Sequence, residues 1–372
     1  MKNTEILDLY SDYLISSFNF TTATGLSGLL DGAISHDKIS RFLGQSLFTQ
    51  QEYWKCVKPL IRRIEQPTGI IKIDDTIIEK PNSTENDIIC WHWDHSKKPQ
   101  AGNTKGILII NFLYQSPILG TEDKISVPVA FEIVKKTESY LDVKSGKVKL
   151  RSPQTKNALV RERLRIIHHF NKVKFEYVVW DTWYSSDENF KFVHHELAKY
   201  FVAAIKANRL VALSKEDKRT GKFKRVEELE IQKDQAITVW IKGLDFPVLI
   251  TQQVFINKDG SSGELYLVTN NLRLSAQAIC TTYQQRWGVE VFHKGLKQEA
   301  GIEKSPTKNE TTQSNHLFAA MIAWSKMELL RIKQNSNHAA LKAKLYVKAL
   351  KAAYEELQSL KQEPIKYLTA PA

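Results

Sequence analysis

Five apolar runs between residues 69 and 206 constrain the fold more than any other feature: GIIKIDD, GILIINFLY, KISVPVAFEIV, FEYVVWD and YFVAAIK. Each is strand-length and rich in β-branched or aromatic residues. Helical patterns over about Lys156–Phe170 and 187–199 fall between the later runs. Strands alternating with helices predict an α/β sheet core. Two of the runs end in acids, Asp74-Asp75 and Asp181. Ligands bind at strand ends in such sheets, so these carboxylates are expected to share a crevice.

The rest of the chain divides around that core. Residues 1–65 read as helical. Within them TGLSGLLDGAISHDKISRFL predicts two short helices, a turn at Asp31-Gly32 and an N-cap at Ser35. Such a pair resembles a helix-turn-helix, which would offer His36, Lys38 and Arg41 to a DNA groove. The α/β core is expected over 66–206 and again over 276–332. Between these parts, 207–275 reads as a β-rich insertion with strands AITVWIKG, FPVLITQQVFI and GELYLVTN and hairpin turn chemistry at Asp259-Gly260. Lys215–Arg225 reads as a cationic loop, and DVKSGKVKLRSPQTKN as a basic connector. Residues 333–372 read as a lysine-rich helical tail.

A net charge of +12 and a pI near 9.3 point to an anionic partner, nucleic acid first. No apolar run reaches membrane-spanning length, and the acidic N-terminal segment is not a signal peptide, so a cytoplasmic protein is expected. Cys56, Cys90 and Cys280 are too few and too scattered for a disulfide framework. CWHWDH (90–95) packs zinc-type ligands together, but no second cluster follows at finger spacing. A loop packing Trp91 and Trp93 near the active site is the expectation there. Lys105 and Lys156 read as solvated surface.

YQQRWGVEVFHKGLK spaces Tyr283, Arg286, Glu290 and Lys297 at offsets of 3, 7 and 14. On one continuous helix they would lie within roughly 60° of one another. Val289, Phe292 and Leu296 form a separate apolar face. A carboxylate is then displayed beside phosphate-binding cations. Three acids without His or Cys partners favour Mg²⁺ or Mn²⁺ over zinc.

IDDT (73–76), VVWDTWYSS (178–186) and this Tyr-Arg-Glu-Lys run resemble the three catalytic segments of DDE insertion-sequence transposases carrying that signature. The resemblance implies a ribonuclease-H-like core in which Asp75, Asp181 and Glu290 hold two divalent ions. Asp74 is the rival for the first position; Asp75 is preferred because it directly precedes Thr76. Tyr283, Arg286 and Lys297 would contact DNA phosphates, with Trp287 and Lys294 of the same run grouped with them. The partners implied are the element's terminal repeats and target DNA, bound by a homodimer. The chemistry implied is hydrolytic nicking, hairpin formation by the freed 3′-hydroxyl, reopening and strand transfer. The group also holds a flipped base on an aromatic residue. Trp240, Phe246 and Tyr266 are the substitutes available here, since no Trp lies between Trp240 and Trp287.

Overall fold

A computed structural model describes residues 3–94, 102–118, 120–143, 146–256, 260 and 262–362. Its contacts separate two units, one of residues 1–42, 295–306 and 319–372, the other of 43–294 and 307–318.

The chain opens with helices α1 (Asn3–Ser16), α2 (Ala23–Leu29), α3 (His36–Gly44) and α4 (Gln50–Ile64). Ser35 Oγ accepts from Lys38 N–H (3.4 Å), so the expected cap forms. The turn before it uses positive φ at Asp31 and Gly32. Helix α4 starts at a reciprocal capping box: Glu52 N–H donates to Thr49 Oγ1, and Thr49 N–H donates to Glu52 Oε2.

Strands β1 (Ile70–Glu79), β2 (Ile89–Asp94), β3 (Gly102–Pro117) and β4 (Lys124–Ile133) follow. Next come the hairpin β5 (Glu138–Asp142) and β6 (Lys147–Arg151), helix α5 (Lys156–Arg165), β7 (Tyr177–Trp180), α6 (Asp187–Lys191) and β8 (Tyr200–Ile205). Strand β7 pairs in parallel with β1 and with β8, while β3 runs antiparallel beside β1. The β7–α6–β8 crossover gives the parallel arrangement expected of alternating elements.

Two expectations change here. The connector at 142–157 contains half of a hairpin, held by Lys149–Asp142 and by Arg151–Glu138 at 3.1 Å. CWHWD is the edge strand β2 rather than a loop, with Trp91 and Trp93 outward and His92 buried. His95 lies outside the described residues.

The segment after β8 comprises β9 (Leu210–Ala212), α7 (Lys215–Arg219), β10 (Lys224–Arg225), β11 (Ala236–Ile241), β12 (Val248–Ile256) and β13 (Ser262–Thr269). It is not a separate β layer. Strand β13 pairs with β8, so among the described residues eleven strands form one sheet, ordered β10-β9-β11-β12-β13-β8-β7-β1-β3-β2 with β4 also on β3. The presumed cationic loop is instead α7, capped by Ser214, followed by β10. Asp259 lies outside the described residues, so the turn expected at Asp259-Gly260 does too.

Helices α8 (Ala276–Gln284), α9 (Trp287–Gln298), α10 (Glu310–Lys333) and α11 (His338–Gln362) complete the chain. Ile279 and Tyr283 of α8 cover one sheet face with Ile70, Tyr177, Val179, Val202 and Leu267. On the other face, fully buried Trp180 packs against Phe190 (5.9 Å between centroids) and Phe201 (6.1 Å). We expect Trp180→Ala to cost about 3–5 kcal/mol, because these rings cannot close the cavity. Urea denaturation measures the cost, and a loss below about 1 kcal/mol would mean the site collapses freely.

In the other unit, Gly295 sits against the Trp324 ring with no room for a Cβ, and His338 packs on the same ring (4.2 Å between centroids). Buried Lys342 of α11 donates to the carbonyls of Ile15, Ser17 and Glu299, joining α11 to the end of α1 and to the segment after α9. Among the described residues no helix is long and apolar enough to cross a membrane.

Candidate active site

The signature run is two helices, not one. Helix α8 ends at Gln284 and α9 starts at Trp287. Between them the backbone tightens: Gly288 N–H donates to Gln285 O (3.1 Å) and Val289 N–H to Arg286 O (2.8 Å). The break is pinned from the sheet, because Gln285 Oε1 accepts from Gln115 Nε2 (2.5 Å) and Lys124 Nζ (3.0 Å). Gln115 in turn accepts from the buried Lys72 of β1 (2.5 Å). The run is therefore interrupted at Gln285-Arg286, yet Tyr283, Arg286 and Glu290 stay neighbours across the break, while Lys297 pairs elsewhere.

What survives is a tight cluster around Arg286. Its Nη2 donates to Glu290 Oε1 (2.6 Å), one turn along α9, and its Nη1 donates to Asp74 Oδ2 (3.2 Å) on β1. Residues 216 positions apart in sequence thus share one guanidinium. The β1–β7 register pairs Lys72 with Val179, and two steps further brings Asp74 level with Asp181. In-register residues of a parallel pair lie on the same face, so Asp74, Asp181 and the α8–α9 segment share one side of the sheet.

Asp75 lies on the opposite side of β1. Its Oδ2 accepts from Lys156 Nζ at the start of α5 (2.6 Å) and from Tyr184 OH (2.6 Å). Lys156 is therefore not solvated surface. Tyr184 and Lys156 are site residues that the sequence gave no periodic signal for; only the fold brings them to Asp75.

Burial, and then the charge of Asp181, push the Asp74 carboxyl up to about 7, with Arg286 opposing. Asp181 is raised too, by burial first, against the Trp183 N–H that donates to its Oδ1 (2.9 Å) and the Arg286 charge. Asn111, paired with Asp74 across β3, bonds His293 of α9 (3.0 Å between Nδ2 and Nε2), and its buried Oδ1 has no partner. Neither Asn111 nor His293 stood out in sequence. A strand Asn and a helix His become informative only once register sets them beside the acids.

These donors are carboxylate and amide oxygens, the type a hard divalent cation takes. Buried acids raised by burial and by neighbouring carboxylates are what such a cation would relieve. As the side chains stand, Arg286 bridges Asp74 and Glu290. Among the described residues no three His, Cys, Asp or Glu side chains are gathered closely enough to hold a metal ion.

The other expected contacts separate into groups. Tyr283 is buried under the sheet, with Arg286 5.7 Å from its ring centroid. Trp287 (63% exposed), Val291 and Lys294 form the outward face of α9. Lys297 falls in the other unit, 3.6 Å from Glu303 Oε1. Phe246 and Tyr266 are buried, Phe246 stacked on His194 (3.8 Å), so neither presents a ring to a base. Val289, Phe292 and Leu296 are fully buried, as their spacing implies.

Comparison with known proteins fits this arrangement. The family described as "Transposase DDE domain" matches residues 151–325, a stretch that includes Asp181, Arg286 and Glu290. A probable transposase for insertion sequence element IS5377 from Geobacillus stearothermophilus is 41% identical over 75 residues, 19% of each chain. A putative transposase, y4zB, from Sinorhizobium fredii (strain NBRC 101917 / NGR234) is 28% identical over 143 residues, 38% of each chain. The matched segments thus span about a fifth and two fifths of those relatives. Together the matches support a DDE transposase.

Proposed function

We propose that this protein is the transposase of an insertion sequence. In this reading it binds the element's terminal repeats as a homodimer in the cytosol, cuts the DNA strands, and joins the freed ends to target DNA through a hairpin intermediate. One observation carries the reading: Arg286 joins an acid of the first core strand to the acid of the signature helix, beside Asp181.

Asp74, Asp181 and Glu290 are the carboxylates we assign to the metal ions, with Asp75 as their neighbour on β1. Asp74 takes the place expected for Asp75 because it shares Arg286 with Glu290, whereas Asp75 is engaged by Lys156 and Tyr184. A bound pair of Mg²⁺ or Mn²⁺ ions would activate the attacking oxygen and stabilise the leaving one. The chain's own work is positioning. Arg286 presents a planar, bidentate donor to a phosphate at the acids. Trp287 and Lys294 extend the contact along the exposed face of α9. His293 and Asn111 tie that helix to β3.

The direct test is Mg²⁺-dependent nicking of an oligonucleotide carrying the terminal repeat. Binding without cleavage by the wild type would leave only a noncatalytic DNA-binding protein of transposase descent. We expect Arg286→Ala to weaken end binding and to lower the slope of log affinity against log salt by about one, the share of one phosphate contact. An unchanged slope would remove Arg286 from the phosphate.

A further inference from the structure

Asn111 of β3 is fully buried, and its amide is engaged at one end only. Its Nδ2 lies 3.0 Å from His293 Nε2 on α9, while its Oδ1 has no hydrogen-bond partner among the described residues. A carbonyl-type oxygen loses its water when it is buried, and nearly all such oxygens recover a donor inside the protein. One that does not is completed by a water or a cation.

The surroundings favour a cation. On one flank Asn111 pairs directly with Asp74 of β1, so the two side chains leave the same face of the sheet as neighbours. On the other flank it pairs with Phe131, whose ring meets Tyr53 at 5.1 Å and Phe318 at 6.4 Å between centroids. The Tyr53 hydroxyl on that aromatic side is already spent on the Pro128 carbonyl (2.7 Å). Acids occupy the first flank: Asp74 beside Asn111, Asp181 one strand further, and Glu290 three residues before His293 on α9. The His293 contact also decides how the amide is turned. With Nδ2 donating to Nε2, the NH₂ end is held at the helix and the oxygen is left over.

We propose that Asn111 Oδ1 is a further ligand to the divalent ion at Asp74, and that His293 is the positioning residue that keeps the amide turned for it. The proposal rests on the assignment of that ion to Asp74, Asp181 and Glu290. It adds a neutral, hard oxygen from a third strand, a donor that Mg²⁺, Mn²⁺ and Ca²⁺ accept beside carboxylates. It also gives α9 a second task. The helix that supplies Glu290 orients, one turn later, the amide that shares its ion.

The test measures Mn²⁺ binding to the full chain without DNA, from the electron paramagnetic resonance signal of the unbound ion, so that cleavage does not enter the readout. Asp74→Asn marks the site and should abolish the binding. Asn111→Leu, close to the amide in size, should weaken it by about tenfold. Asn111→Asp puts charge at the same position and should tighten it. His293→Phe frees the amide to turn and should weaken binding by up to about tenfold, yet add nothing once Asn111→Leu is present. An Mn²⁺ affinity unchanged in Asn111→Leu, or not raised in Asn111→Asp, overturns Asn111 as a ligand and leaves the acids' assignment intact; the buried oxygen then holds a water only. An unchanged affinity in His293→Phe overturns the positioning role. A wild type that binds no Mn²⁺, or binding that survives Asp74→Asn, defeats the metal assignment itself, and the Asn111 proposal falls with it. Near-UV circular dichroism checks each fold, and if Asn111→Leu does not fold, the Asn111→Asp affinity decides.

Discussion

Glu290→Gln will reduce strand cleavage by about a thousandfold or more while terminal DNA still binds. The substitution keeps the side chain's size and its ability to accept from Arg286. It removes the negative charge, and with it one ligand of the assigned divalent ions, a loss of several kcal/mol at the transition state. Binding depends on cations at phosphates, and losing an acid beside them does not weaken that attraction. The measurement is single-turnover nicking of an end-labelled duplex, paired with an equilibrium binding curve on the same duplex. Cleavage within about tenfold of the wild type would take Glu290 out of the chemistry.

The second large effect separates two neighbours. Asp74→Asn is expected to lose about as much cleavage as Glu290→Gln, because Asp74 shares the guanidinium with Glu290 and lies level with Asp181. Asp75→Asn should cost about tenfold or less: Tyr184 can still donate to the amide oxygen, and only the charge pairing with Lys156 is lost. The same nicking assay, run on both variants with thermal melting as a fold check, decides between them. If Asp75→Asn is the inactive variant and Asp74→Asn the active one, the acid of the first strand is Asp75, as the order of residues before Thr76 first implied.

This pair also shows where sequence reading stops. The strands around Ile71, Ile109, Val127, Val178 and Val202 were legible because continuous apolar runs of that length have few other solutions. The apolar face of α9 was legible for the same reason, at helical spacing. Which of two adjacent acids faces the signature helix was not, because a strand's pattern gives relative sides only. The absolute side is fixed by pairing with β7. The helix break at Gln285-Arg286 was hidden too: no Gly or Pro marks it, and the bonds that hold it come from Gln115 and Lys124, far away in sequence. Strand β2 escaped notice because its two tryptophans face outward, against the usual association of aromatic residues with the interior.

The pairing of β13 with β8 has a consequence for how the segment 207–275 is to be regarded. Cutting it out and rejoining the ends would strip β8 of its neighbour and bare a row of amide and carbonyl groups in the middle of the protein. A raw border of that kind invites a stray chain to dock and aggregate. The stretch enters in mid-sequence yet builds one whole flank of the plate, continuous with the core strands through β8.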